Sequence, residues 1–144
     1  MGAKNFGFGI VEETPSSLNL IATHHVCIAE EDILEKAKSL SKILKNLKSL
    51  YQIETVGYEF SVMRNKVGRT IDILSGIVIS EFMEGYKVHP VNVSTCKKFF
   101  TGTRAANKTS ILDAVCNYLS VKKLKVTHHE SDALAIAIYV AKLN

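Results

Sequence analysis

The stretch that most limits what this chain can become is 127–142, T-H-H-E-S-D-A-L-A-I-A-I-Y-V-A-K. Leu134, Ile138 and Ala141 recur three and four apart with small alanines between them, the spacing of one helical stripe. A helix this apolar is expected to be buried, with its polar head where it meets a cleft. Ser131 is the expected N-cap, because its hydroxyl can accept from a free N–H of the first turn. His129 and Asp132 are three apart and share one face if the helix has begun by His129. An Asp entering the first turn of an apolar helix is accounted for by capping and by the helix dipole. A catalytic reading requires a second acidic group and a basic groove, and the chain offers both.

The remaining sequence fills one α/β domain. At 144 residues, 47% hydrophobic and 22% charged, the chain suffices for one packed core. No apolar run reaches a membrane span, and the N-terminus lacks a signal-peptide pattern. Cys27, Cys96 and Cys116 are odd in number with no C-x-x-C pair, which fits a reduced, intracellular setting. The net charge of +4 is compatible with a polyanionic partner. Lys97, Lys98, Arg104, Lys108, Lys122, Lys123 and Lys125 gather in the C-terminal half.

In chain order, Gly2, Gly7 and Gly9 read as a turn leading into a strand, and their spacing matches no phosphate-binding loop. Phe6 to Val11 and Leu18 to Ile28 form a hairpin about Pro15-Ser16-Ser17. Glu30-Glu31-Asp32 opens a long helix with Ile33, Leu34, Ala37, Leu40, Ile43, Leu44, Leu47 and Leu50 inward and lysines outward. Thr55 to Val62 is a strand carrying Glu59. At a sheet edge that carboxylate points to water; in a central strand it needs a cation. Met63 to Gly68 is a basic loop containing Arg64, followed by a helix over 69–84 that stops at Gly85. A strand follows over 87–93, then a short basic helix capped by Ser94, a polar loop over 101–107, a helix over 108–119 and a lysine-rich connector. Strands alternating with helices behind a leading hairpin give a layered α/β domain over residues 1–144 with no internal repeat.

Four segments in this order resemble the RuvC-type Holliday junction resolvases of the RNase H-like superfamily. They are G-A-K-N-F-G-F-G-I-V, Y-E-F-S-V, C-K-K-F-F-T-G-T-R-A-A-N-K and H-x-x-D-A-L-A-I-A-I. The resemblance implies a mixed RNase H-like sheet flanked by helices. It also implies metal-dependent phosphodiester hydrolysis of four-way DNA junctions, in recombination, repair or viral genome processing. Glu59, Asp132 and His129 would be the metal ligands and, with Lys108, the catalytic set. Lys97, Lys98, Arg104, Lys108 and Arg64 would contact DNA. The expected cofactor is Mg²⁺ or Mn²⁺, two per site, which suits hard carboxylate oxygens. Branched DNA is the expected partner and a homodimer the expected assembly, with the 69–84 helix and its neighbours as the interface candidates that the resemblance implies. No membrane or small-molecule cofactor is expected, and the setting is the cytoplasm or nucleoid, or an infected host cell.

The chain departs from the family in two places. Val62 stands where the family often carries an aromatic wedge. The family's first strand ends in Asp-x-Gly, and with Gly2 as that Gly the Asp falls one residue ahead of Met1. The implied strand lies centrally, between the Glu59 strand and the hairpin. A segment upstream of an internal Met is therefore expected, and without it poor metal binding and little cleavage. Two other readings remain: a junction-binding protein of the same fold with an incomplete metal site, and a zinc module using His24, His25, Cys27, His128 and His129.

Overall fold

The structure is a computed structural model that describes residues 5–59, 66–102 and 107–143, with the backbone alone at 66–68 and 108. The elements are β1 (Asn5–Glu13), β2 (Leu18–Cys27), α1 (Ile33–Leu50), β3 (Thr55–Glu59), α2 (Lys66–Phe82), β4 (Lys87–Val91), α3 (Val93–Thr101), α4 (Lys108–Leu119) and α5 (His128–Leu143). This is the order expected from the sequence. α2 already starts at Lys66, inside the 63–68 segment that the sequence suggests is a basic loop.

β1 pairs with β2 antiparallel, with a register shift at Ile10/Val11, and β3 pairs with β4 in parallel. Among the described residues these are two separate two-stranded sheets rather than one mixed sheet. They nevertheless form one layer. Phe6, Phe8 and Ile10 of β1 and Val56 and Val88 of the other sheet pack into one cluster with Leu40, Leu44, Leu47, Leu74 and Phe82 of α1 and α2. On the opposite side, Val11, Leu18, Leu20 and Val91 pack with Ile111, Val115, Leu134 and Ile138 of α4 and α5. The layer is thus sandwiched between α1/α2 and α3–α5. Both β1 and β3 lie against α5, so the two strand edges left unpaired by this division fall beneath one helix.

Local chemistry explains how α5 comes so close. The run F-G-F-G-I turns its aromatic residues to α1 and α2 and its glycines to α5. Gly7 and Gly9 are therefore strand residues, not a turn. A Cβ at Gly9 would stand 2.8 Å from the Leu134 nitrogen, and one at Gly7 would overlap the His129 carbonyl. Across the layer, a Cβ at Gly57 of β3 would meet Val140 Cγ2 of α5 at 2.6 Å. The absence of side chains at these points lets the helix backbone settle on the sheet.

Several caps and faces differ from the sequence-based expectation. Asp32 caps α1 by accepting from Glu35 N at 3.1 Å. Asn92, not Ser94, caps α3, accepting from Ser94 N at 2.8 Å. Gly85 has φ of 83°, the left-handed conformation expected of a helix stop. Lys36 is buried in line with Leu40, Leu44 and Leu47, whereas Leu34 and Leu50 are exposed. The α1 stripe is therefore rotated from the expected one. No helix among the described residues is long and apolar enough to cross a membrane.

Candidate active site

The head of α5 is clamped before it contributes any chemistry. Thr127 Oγ1 accepts from Glu130 N at 3.2 Å, while Glu130 Oε1 accepts from Thr127 N at 3.2 Å. This reciprocal pair is a capping box, T-x-x-E. Thr127 is thus the cap, and Ser131 lies inside the helix, buried, its hydroxyl without a hydrogen-bond partner. Glu130 Oε2 also accepts from the Thr23 hydroxyl of β2, tying the helix start to the hairpin. That bond is the main reason the Glu130 pKa is lowered, with the Thr127 bonds and the His25 charge adding to it.

With its first turn fixed, α5 presents Asp132 at a cleft. The cleft is lined by Val93, Cys96 and Lys97 of α3, Ile111 of α4, and Asp132, Ala135 and Ile136 of α5. Glu59, the last residue of β3, comes from the sheet. It is exposed as a residue, yet its carboxyl group sits among enough protein for desolvation to raise its pKa. The Asp132 charge raises it further, and Lys97 pulls the other way. Residues 73 positions apart thus converge on one electrostatic neighbourhood: two carboxylates that repel and one lysine that offsets them. The Cys96 thiol in the same wall is pushed up to about 12, first by burial and then by Asp132. It is therefore protonated and unreactive near neutral pH.

The other expected site residues divide. Lys97 is in the cleft and Lys98, next to it, is exposed. Lys108 is the first residue of α4, just under one turn ahead of Ile111 in the cleft wall. Arg64 and Arg104 lie outside the described residues. The ring of His129 does not line the cleft; it stacks on His25 of β2, centroids 5.4 Å apart at 17°, and lies 4.0 Å from the His128 ring. Among the described residues no three His, Cys, Asp or Glu side chains are arranged to hold one metal ion. This applies to the Glu59–Asp132–His129 trio and to the zinc reading alike; His24 instead bonds Tyr51 Oη at 2.9 Å.

The sequence reading missed the Thr23–Glu130–Thr127 clamp, although T-x-x-E ahead of an apolar run was there to be read. The carboxylate pair itself suits a hard divalent cation. Two like charges in a partly desolvated cleft are relieved by a cation between them, and oxygen donors match Mg²⁺-type ions.

The sequence profile of the family described as Crossover junction endodeoxyribonuclease RuvC matches residues 1–140. The chain belongs to the RuvC family. It is 29% identical over 143 residues to the RuvC of Aliarcobacter butzleri (strain RM4018), spanning 95% of this chain and 91% of that one. It is 24% identical over 140 residues to the RuvC of Pseudomonas fluorescens (strain SBW25), spanning 95% and 80%. The fold superimposes on Thermus thermophilus RuvC with a TM-score of 0.80 at 22% identity, covering 99% of this chain and 92% of that chain. T. thermophilus RuvC in complex with Holliday junction substrate gives the same TM-score at 19% identity. RuvC membership makes the chain a metal-dependent nuclease in general terms, and its α/β layering is that of the RNase H-like fold.

Proposed function

We propose that this RuvC-family chain is an endonuclease that cuts four-way DNA junctions by metal-dependent phosphodiester hydrolysis inside a cell or an infected host cell. The observation that supports it most directly is the convergence of Glu59 and Asp132 beside Lys97. Two carboxylates from a strand end and a helix head would hold Mg²⁺ or Mn²⁺. When bound, such an ion polarises the scissile phosphate and lowers the pKa of a water. Two ions per site is the composition proposed. Glu59 and Asp132 serve the first, and the second calls for a further carboxylate, which the family resemblance puts on a strand between β1 and β3.

The protein's own groups orient the substrate. Lys97 places a cation at the carboxylates where a phosphate oxygen would sit, and Lys108, the first residue of α4, is assigned to the same phosphate by the family resemblance. Lys98, Arg64 and Arg104 hold the DNA backbone by charge, so affinity should fall steeply with salt. The apolar cleft walls keep the local dielectric low and strengthen each of these contacts. His129, stacked on His25 and next to the tilted His128 ring, is assigned to proton handling or to metal binding. The reading as a junction binder with an incomplete site is not favoured, because the matching relatives are named crossover junction endodeoxyribonucleases and a similar structure is in complex with Holliday junction substrate.

The test is Mg²⁺-dependent nicking of a synthetic four-way junction. Glu59→Gln and Asp132→Asn should each lower the rate about 10²–10⁴-fold, the several kcal/mol that a metal ligand supports, with junction binding kept. Nicking that persists in both variants would remove the proposal.

A four-way junction is two-fold symmetric, which suits a symmetric dimer. α2 carries exposed Ile73 and Ile79, and Met83 just past its end is exposed too, with open space around Gly76. We assign the homodimer interface to this face. Ile73→Glu should convert a dimer to a monomer in sedimentation velocity; an unchanged sedimentation coefficient would place the interface elsewhere.

A further inference from the structure

Beyond the cleft, the surface of α3–α5 carries an aromatic ledge. Phe99 of α3 is 40% exposed and Tyr118 of α4 is 38% exposed. Their rings stack with centroids 6.0 Å apart at 26°, and Phe99 also meets Tyr139 of α5 edge-on at 5.2 Å. Phe100, against Tyr118 at 5.3 Å, backs the group from the core side. Core packing accounts for Phe100; it does not account for two large rings left open side by side.

The charge around the ledge has one dominant sign. Lys98 is exposed beside Phe99, and Lys122 and Lys123 are exposed within five residues of Tyr118. Lys142 Nζ lies 6.0 Å from the Tyr118 ring centroid and 3.8 Å from Glu13, the carboxylate that partly offsets it. Partly exposed aromatic rings rimmed by lysines are the composition of a nucleic-acid stacking surface, because every base has a π-face and the phosphates are anionic. The location agrees. Tyr139 is seven residues beyond Asp132 on the same helix, about 10 Å along its axis. That is about three base steps of duplex at 3.4 Å each.

We propose that the Phe99–Tyr118 ring pair, rimmed by Lys98 and Lys142, is a stacking platform for an unpaired base of the branched DNA held at the Glu59–Asp132 site. The proposal rests on the nuclease reading above and adds a base-contacting surface to it. The platform distinguishes branched from intact DNA, because a fully paired duplex presents no free base face.

The experiment compares Phe99→Leu and Tyr118→Leu with the unmodified chain. Leucine keeps the patch apolar and filled but has no π-face. Affinity for a junction and for a duplex of equal length is measured by fluorescence anisotropy with Ca²⁺ replacing Mg²⁺. Junctions carrying 5-iodouracil near the crossover are photo-crosslinked and the attachment mapped by mass spectrometry. Each Leu variant should lose roughly 5- to 150-fold in junction affinity, the range for one stacked base. Duplex affinity and melting temperature should hold, Tyr118→Phe should bind as the unmodified chain does, and cross-links should fall on Phe99 or Tyr118. Unchanged junction affinity in both Leu variants would overturn the platform, and so would equal losses on junction and duplex. If the unmodified chain binds no junction at all, the nuclease reading fails first. If it binds and nicks junctions while the Leu variants match it, only the platform fails.

Discussion

Two residues ahead of Asp132, Glu130 is bonded through both of its carboxylate oxygens. One oxygen of Glu130 closes the capping box with Thr127 and the other takes the Thr23 hydroxyl of β2. Those bonds favour the ionised form, so the folded-state pKa lies below the ordinary carboxylate value of 4.5. A depressed carboxylate contributes stability that is present above its unfolded pKa and lost as pH falls through the folded one. Glu130→Ala should therefore destabilise by about 1 kcal/mol at pH 7, and the gap to the parent chain should narrow as the pH falls below 4.5. Thermal melts at pH 7 and pH 3 check this; a gap that stays constant would mean the clamp does not depend on charge. Glu59 has the opposite sign. Burial and Asp132 raise its pKa, so its charged form works against stability once pH exceeds the raised value. That cost is the mark of a group kept for binding rather than for folding.

At the scale of elements, the decisive contact is α5 on the glycines of β1. Alternation gives F-G-F-G-I one aromatic face and one bare face, and the bare face sets the helix height above the sheet. Gly9→Ala would put a Cβ 2.8 Å from the Leu134 nitrogen, which is backbone and cannot swing aside. We expect a loss of about 1–3 kcal/mol, the usual cost of overpacking, measured by urea unfolding. A neutral outcome would show that α5 rides higher than described. Element type and order were legible because the periodicities are strong: 3.6 in α1, α2 and α4, and 2 in β1. The caps were less legible. Ser131, Ser94 and their neighbours Thr127 and Asn92 are all competent caps by residue type. The choice among them is made by where the helix docks, which lies outside the local sequence.

Across the whole molecule, the hairpin β1–β2 and the parallel pair β3–β4 share two cores and one covering helix but no hydrogen bonds among the described residues. Unpaired buried backbone groups each cost roughly 1–3 kcal/mol, so a strand seated between β1 and β3 would stabilise the layer substantially. An aspartate at the end of that strand would also join Glu59 and Asp132.

The sequence alone determined the layered α/β architecture, because periodicity is a local property; the roles expected of Glu59 and Asp132 came only with the resemblance of four segments to a family, since a Glu in a strand and an Asp in a first turn each have an ordinary structural explanation. It did not determine which charges meet. Tertiary structure alone decided that Asp132 and Lys97 line one cleft within electrostatic reach of Glu59 while His129 turns to His25. The physical reason is that electrostatic coupling depends on distance and on desolvation, and both are set only when α5 settles onto the bare face of β1.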